Sequence, residues 1–233
     1  MTRALLFSTT GGVLEMARSE LGAFLGDRKT LAFVTAASLG DEVAYYLRMQ
    51  ASFAPLPPDG AGVRLLHLKW NDAPLATLAR ADAVFVGGGN TYALLERLRE
   101  AKLLDAIRER VAAGMPYVGS SAGSNVAGPR ILTTNDWNVV GLDDFGALGL
   151  VPFNINPHYL EADPAMAAHS ETRDDRIREY HVIWSNPVLG IEEGAAVRVE
   201  DGVATVCGHA RVKLFRRRAA PVWYSAGSRL PLD

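Results

Sequence analysis

The chain has 233 residues, 48% hydrophobic and 21% charged, with a formal net charge of -2. Such a length holds one large domain or two small ones, and the composition is that of a globular protein. The charge balance excludes a strongly basic surface built for nucleic acid or an anionic membrane, and no apolar run has the length of a bilayer span.

Ala4 to Phe7 reads as the first strand; the short apolar run at the start is below the length of a signal-peptide core, so the expected location is cytoplasmic. Leu14 to Leu25 has helical spacing at Leu14, Ala17, Leu21 and Leu25. Thr30 to Thr35 is a continuous apolar run of the kind buried on both faces. Asp41 to Phe53 predicts a helix with Asp41 at its start. Val63 to Leu68 is the third strand, and Leu75 to Ala81 a short helix after Pro74. Ala83 to Val86 is the fourth strand, Tyr92 to Leu98 and Leu103 to Ala113 are helical, and Tyr117 to Gly119 is the fifth strand.

Strands separated by helices predict a mainly parallel sheet covered on both faces, with right-handed connections. Beyond about residue 129 the elements shorten. Glu171 to Val182 is one more helix. Val188–Ile191, Ala195–Val199, Val203–Val206 and Val212–Phe215 read as strands with tight turns such as Asp201-Gly202, an antiparallel extension of the sheet. With no Pro/Ser-rich linker and no repeat, the expectation is one α/β domain over residues 1–233. The lone Cys207 excludes an internal disulfide, points to a reducing compartment, and reads as a small buried apolar side chain rather than a catalytic thiol.

Three clusters carry chemistry. Gly119-Ser120-Ser121-Ala122-Gly123 follows a strand and precedes small residues, the setting of a nucleophile elbow that exposes Ser121. Gly87-Gly88-Gly89-Asn90-Thr91 ends the fourth strand, on the same rim of a parallel sheet. There the amide of Gly88 or Gly89, with that of Ala122, could hold an oxyanion, while a tight turn capped by Asn90 or Thr91 is the plainer reading. A serine needs a base. Of His67, His158, His169, His181 and His209, His158 is the best placed, in the irregular segment Asn154-Ile155-Asn156-Pro157-His158. Glu192 and Glu193 offer the orienting carboxylate, and spacing alone does not separate them. Arg173 and Arg176 share a helix face and could clamp a carboxylate or sit ion-paired in solvent; Arg130 is a third cation. No cluster has metal-ligand spacing, so neither metal nor cofactor is expected.

The three glycine, serine and histidine motifs, together with Thr133-Thr134-Asn135-Asp136, Glu171-Thr172-Arg173 with Arg176-Ile177-Arg178-Glu179, and Gly190-Ile191-Glu192-Glu193-Gly194, stand in the order found in the peptidase E family. The chain resembles that family of aspartyl dipeptidases over roughly residues 80 to 200, with cyanophycinases as more distant relatives. The resemblance implies a fold like class I glutamine amidotransferases and a triad in the order Ser121, His158, Glu193, the last chosen over Glu192 because the family's acid precedes the glycine. It implies a part in activity for Asp136 and hydrolysis of dipeptides with an N-terminal aspartate. By charge complementarity, Arg173 or Arg176 would meet the aspartate side chain; Asp136, with Asn90 beside it, would meet the free amine. Ser120 and Trp137 depart from the pattern, which leaves the triad intact and opens the substrate preference.

Two other readings stay open: a related hydrolase of another small or β-linked aspartyl peptide, and a non-catalytic small-molecule binding protein on the same fold. An α/β-hydrolase esterase is disfavoured, because its acid precedes its histidine. The expected partners are a small peptide substrate and, for assembly, a second copy of the chain, with neither nucleic acid nor membrane.

Overall fold

The computed structural model describes residues 2–53, 63–163, 165 and 169–232. Strands β1 (Ala4–Phe7), β2 (Thr30–Val34), β3 (Arg64–Leu68), β4 (Ala83–Val86) and β5 (Tyr117–Ser120) lie parallel in the order β1-β5-β4-β2-β3. Parallel neighbours require crossovers, and the helices between the strands supply them. These are α1 (Leu14–Leu25), α2 (Glu42–Phe53), α3 (Pro74–Ala79), α4 (Thr91–Glu100) and α5 (Leu103–Ala112).

Alternation along each strand divides the core in two. Leu5, Phe7, Phe33 and Phe85 pack with Leu21 and Phe24 of α1 and Phe53 of α2. Leu6, Val34, Val84 and Val86 face the other way, onto Leu94 and Leu98 of α4 and Ile107 of α5. Every residue of β1, β4 and β5 is buried, which is why these strands read as unbroken apolar runs. Each large side chain so buried contributes roughly 1.5–3 kcal/mol.

After β5 come the single turn α6 (Ala122–Asn125), β6 (Asn154–Asn156) and α7 (Arg173–Ile183). Helix α7 starts on a capping box, in which Thr172 and Asp175 bond each other's backbone amides. The predicted antiparallel extension is present: β8 (Ala195–Glu200) pairs with β1, then β9 (Val203–Gly208) and β12 (Arg229–Leu230) complete an eight-stranded sheet. The β8–β9 turn is Asp201-Gly202, both at positive φ, as its sequence predicts. Two of the predicted strands, β7 (Val188–Ile191) and β10 (Val212–Phe215), instead join β6 and β11 (Val222–Tyr224) in a separate four-stranded sheet. The strand at its edge, β6, pairs parallel with β7, and its sequence, Asn-Ile-Asn, carries no strand signal.

Among the described residues, no helix is long and apolar enough to cross a membrane.

Candidate active site

Ser121 stands at the carboxyl end of β5, where the chain turns into α6 with φ 54° and ψ -111°. A non-glycine residue there costs on the order of 1–3 kcal/mol and persists only if its surroundings enforce it. They do so by close packing. A Cβ on Gly119 would lie 2.6 Å from the Gly123 carbonyl oxygen, and one on Gly123 would overlap the Val86 carbonyl. The Tyr117 hydroxyl donates to the Gly123 carbonyl at 2.6 Å, and the Ser121 amide and the Ser124 hydroxyl both donate to the Phe7 carbonyl. The elbow is thus bound to both neighbouring strands, β1 and β4.

His158 follows β6 and also has a positive φ, 53°. Its Nε2 lies 2.8 Å from Ser121 Oγ, and its Nδ1 lies 2.9 Å from Glu193 Oε1. Glu192 turns away and pairs with Arg211 at 2.8 Å, so geometry separates the two adjacent carboxylates. A hydroxyl bonded to an imidazole whose far nitrogen faces a carboxylate can pass its proton to that imidazole and attack an acyl carbon. The pair is not deeply buried: the His158 and Glu193 side chains are 37% and 64% exposed.

Three of the other four histidines have structural partners, and His169 is exposed. His67 bonds Thr35 Oγ1 at 3.0 Å and stacks on Tyr46, and burial lowers its pKa. His181 faces the Asn186 carbonyl, and burial lowers its pKa too. The His209 ring packs against Gly194. Burial pushes the Cys207 thiol up to about 11, which keeps it protonated and unreactive.

Each glycine of Gly87-Gly88-Gly89 meets a different neighbour. A Cβ on Gly87 would lie 2.6 Å from the Tyr45 hydroxyl, and one on Gly88 would lie 3.1 Å from Ser121 Cβ. Gly89 has φ 140° and abuts the Ala37 carbonyl. The Gly88 amide donates to Tyr45 Oη at 3.0 Å, whereas Ala122 opens α6 with an amide that the helix cannot satisfy internally. The loop borders a cleft of about 670 Å³ that also contains Ser121, His158, Asn90, Thr10, Tyr45 and Arg48.

The remaining predicted binding residues are engaged within the protein. Asn90 caps α4 through the Ala93 amide and donates to the Trp137 carbonyl. Asp136 Oδ2 accepts from the Thr91 amide at 2.7 Å, the Thr91 hydroxyl at 2.6 Å and the Thr134 hydroxyl at 3.2 Å. Arg173 and Arg176 line a second cavity of about 380 Å³, distinct from the cleft over Ser121. The Arg173 guanidinium donates to the carbonyls of Pro157 and His158, and Arg176 pairs with Glu171 at 2.9 Å. Arg130 stacks on Trp184.

Sequence reasoning missed the scaffold behind His158. The Ser8 hydroxyl accepts the His158 amide at 2.8 Å. Asn135 donates to the Pro157 carbonyl, Asn156 to Asn135 and Thr133, and Asn125 to the Ile155 carbonyl. Beyond His158, Lys213 is buried among Tyr159, Glu161 and Asp174. Ser8 alone had an available signal, its place just beyond the carboxyl end of the first parallel strand.

The model of peptidase family S51 matches residues 4–207. Peptidase E of Streptomyces coelicolor is 43% identical over 219 residues, 94% of this chain and 88% of that one. A Drosophila melanogaster protein named "Probable alpha-aspartyl dipeptidase" is 47% identical over 208 residues, 88% of this chain and 84% of its own. A crystal structure from Listeria monocytogenes EGD-e, described as a candidate peptidase E, superposes with a TM-score of 0.70 at 24% identity, covering 90% of this chain and all of that one. A peptidase from an acI-B1 actinobacterium superposes with 0.72 at 15% identity, covering 99% and 96%, and both carry the same fold. The chain belongs to peptidase family S51.

Proposed function

We propose that this protein is a cofactor-free serine dipeptidase that hydrolyses dipeptides with an N-terminal aspartate in the cytoplasm. The observation that carries the chemistry is the unbroken line from Ser121 Oγ through His158 to Glu193, at 2.8 and 2.9 Å. The names of the relatives supply the substrate class. The lone Cys207, with no disulfide to form, favours a reducing compartment.

In this reading Ser121 Oγ attacks the aspartyl carbonyl as His158 Nε2 takes its proton. The carbonyl electrons move onto oxygen, beside the glycine triplet and the Ala122 amide. His158 then protonates the leaving amine, and water releases aspartate from the acyl-enzyme by the reverse proton path. Glu193 holds His158 in the tautomer that keeps Nε2 free. Of the two arginines, Arg176 alone is held by an exposed glutamate rather than by the main chain, but both line the second cavity and not the cleft over Ser121, so neither is assigned the aspartate carboxylate. The bonds of Asp136 to Thr91 and Thr134 support a positioning part for it, setting Asn90 and the start of α4.

The test is turnover of Asp-X, Glu-X, Ala-X and β-Asp-Arg dipeptides by the wild type and by Ser121→Ala. The expected result is Asp-X hydrolysis in the wild type and a loss of kcat of about 10⁴-fold or more in the variant. A variant near full activity would remove the mechanism, and preference for β-Asp-Arg would move the substrate to β-linked peptides.

A further inference from the structure

We propose that Tyr45 is a catalytic residue whose hydroxyl donates a hydrogen bond to the oxyanion and carries the Gly88 amide's stabilisation to it. The inference rests on the serine-dipeptidase reading and assigns a residue that neither the motifs nor the elbow indicate.

Gly88 is the glycine that faces the nucleophile, its missing Cβ 3.1 Å from Ser121 Cβ and 3.7 Å from Ser121 Oγ. Its amide would ordinarily be an oxyanion donor. Here that amide is already committed to Tyr45 Oη, at 3.0 Å. The phenol borders the cleft beside Gly88. Gly87 leaves room for it, since a side chain there would meet the hydroxyl at 2.6 Å. The ring is held by an edge contact with Phe33, centroids 5.3 Å apart.

The Tyr45 oxygen accepts the Gly88 N–H, and among the described residues no acceptor takes its own proton. Tyr45 lines the same cleft as Ser121. A hydroxyl that accepts one hydrogen bond becomes a better donor for the next, so the amide strengthens the phenol rather than being wasted on it. Burial raises the phenol's pKa, which keeps the proton on oxygen at neutral pH. No proton leaves Tyr45. As Ser121 Oγ bonds to the carbonyl carbon and the π electrons move to oxygen, the phenol O–H and the Ala122 N–H meet the developing charge.

Tyr45→Phe retains the ring and deletes only the donor. On Asp-Leu, kcat is expected to fall about 100-fold with KM nearly unchanged and thermal unfolding unchanged, as for loss of one oxyanion donor. Labelling of Ser121 by a diphenyl phosphonate with an aspartate-like side chain should slow by a similar factor, because the phosphoryl oxygen occupies the same place. Unchanged kcat, or a loss confined to KM, would overturn the assignment. A rise in kcat would overturn it too, by showing that the hydroxyl only obstructs the Gly88 amide. Failure of the wild type to label at Ser121 would instead strike the serine reading, and the Tyr45 assignment with it.

Discussion

The two halves of the site are held by opposite means. The Ser121 half is built from backbone pressed against backbone, with Gly119 and Gly123 admitting neighbours where no side chain fits. The His158 half is built from side chains: Ser8, Asn135 and Arg173 each hold a main-chain group of Pro157 or His158. Both halves enforce a positive φ on the reacting residue. The first does so by exclusion, which fails all at once. The second uses several separate hydrogen bonds, each removable at a modest cost.

Substitutions can break that contrast or sharpen it. Gly123→Ala drives a methyl into the Val86 carbonyl, so a loss of about 3 kcal/mol or more, or no folded protein, is expected from denaturant titration. A folded, active variant would show that the elbow is not held by exclusion. Glu193→Gln should lower kcat by about 100-fold and leave folding intact. That is less than for a buried triad acid, because solvent already screens this pair. Arg173→Ala should lower kcat by about tenfold on every dipeptide tested, since its guanidinium grips the His158 carbonyl. A rise in KM confined to Asp-X would show that it binds substrate instead. Ser8→Ala should have the smallest effect, about 1 kcal/mol of stability and a severalfold drop in kcat, because one amide loses one acceptor.

The same contrast explains what the sequence made legible. Gly119-Ser120-Ser121-Ala122-Gly123 is readable because exclusion leaves small residues at fixed spacing. The parallel strands are readable because burial on both faces leaves apolar runs such as Ala4–Phe7. The scaffold of His158 is not readable. Ser8 lies 150 residues from its partner, and a serine or asparagine looks the same whether it braces a loop or faces water. Strand β6 was missed because its asparagines are buried through hydrogen bonds, Asn154 to the Tyr180 hydroxyl for one, and so break the apolar pattern of a buried strand. Tyr45 sits in a helix whose periodicity predicts the helix and says nothing of a hydroxyl reaching across to Gly88.

The hydroxyl and its imidazole grow from different layers. Ser121 extends β5 of the eight-stranded sheet, whereas His158 and Glu193 extend β6 and β7 of the four-stranded one. Their alignment is therefore a measure of how the layers seat on each other. A slip of about 1 Å between layers, too small to melt either, is enough to cost roughly a hundredfold in rate. On heating or in mild denaturant, peptidase activity should fade while the circular dichroism of both layers is still intact.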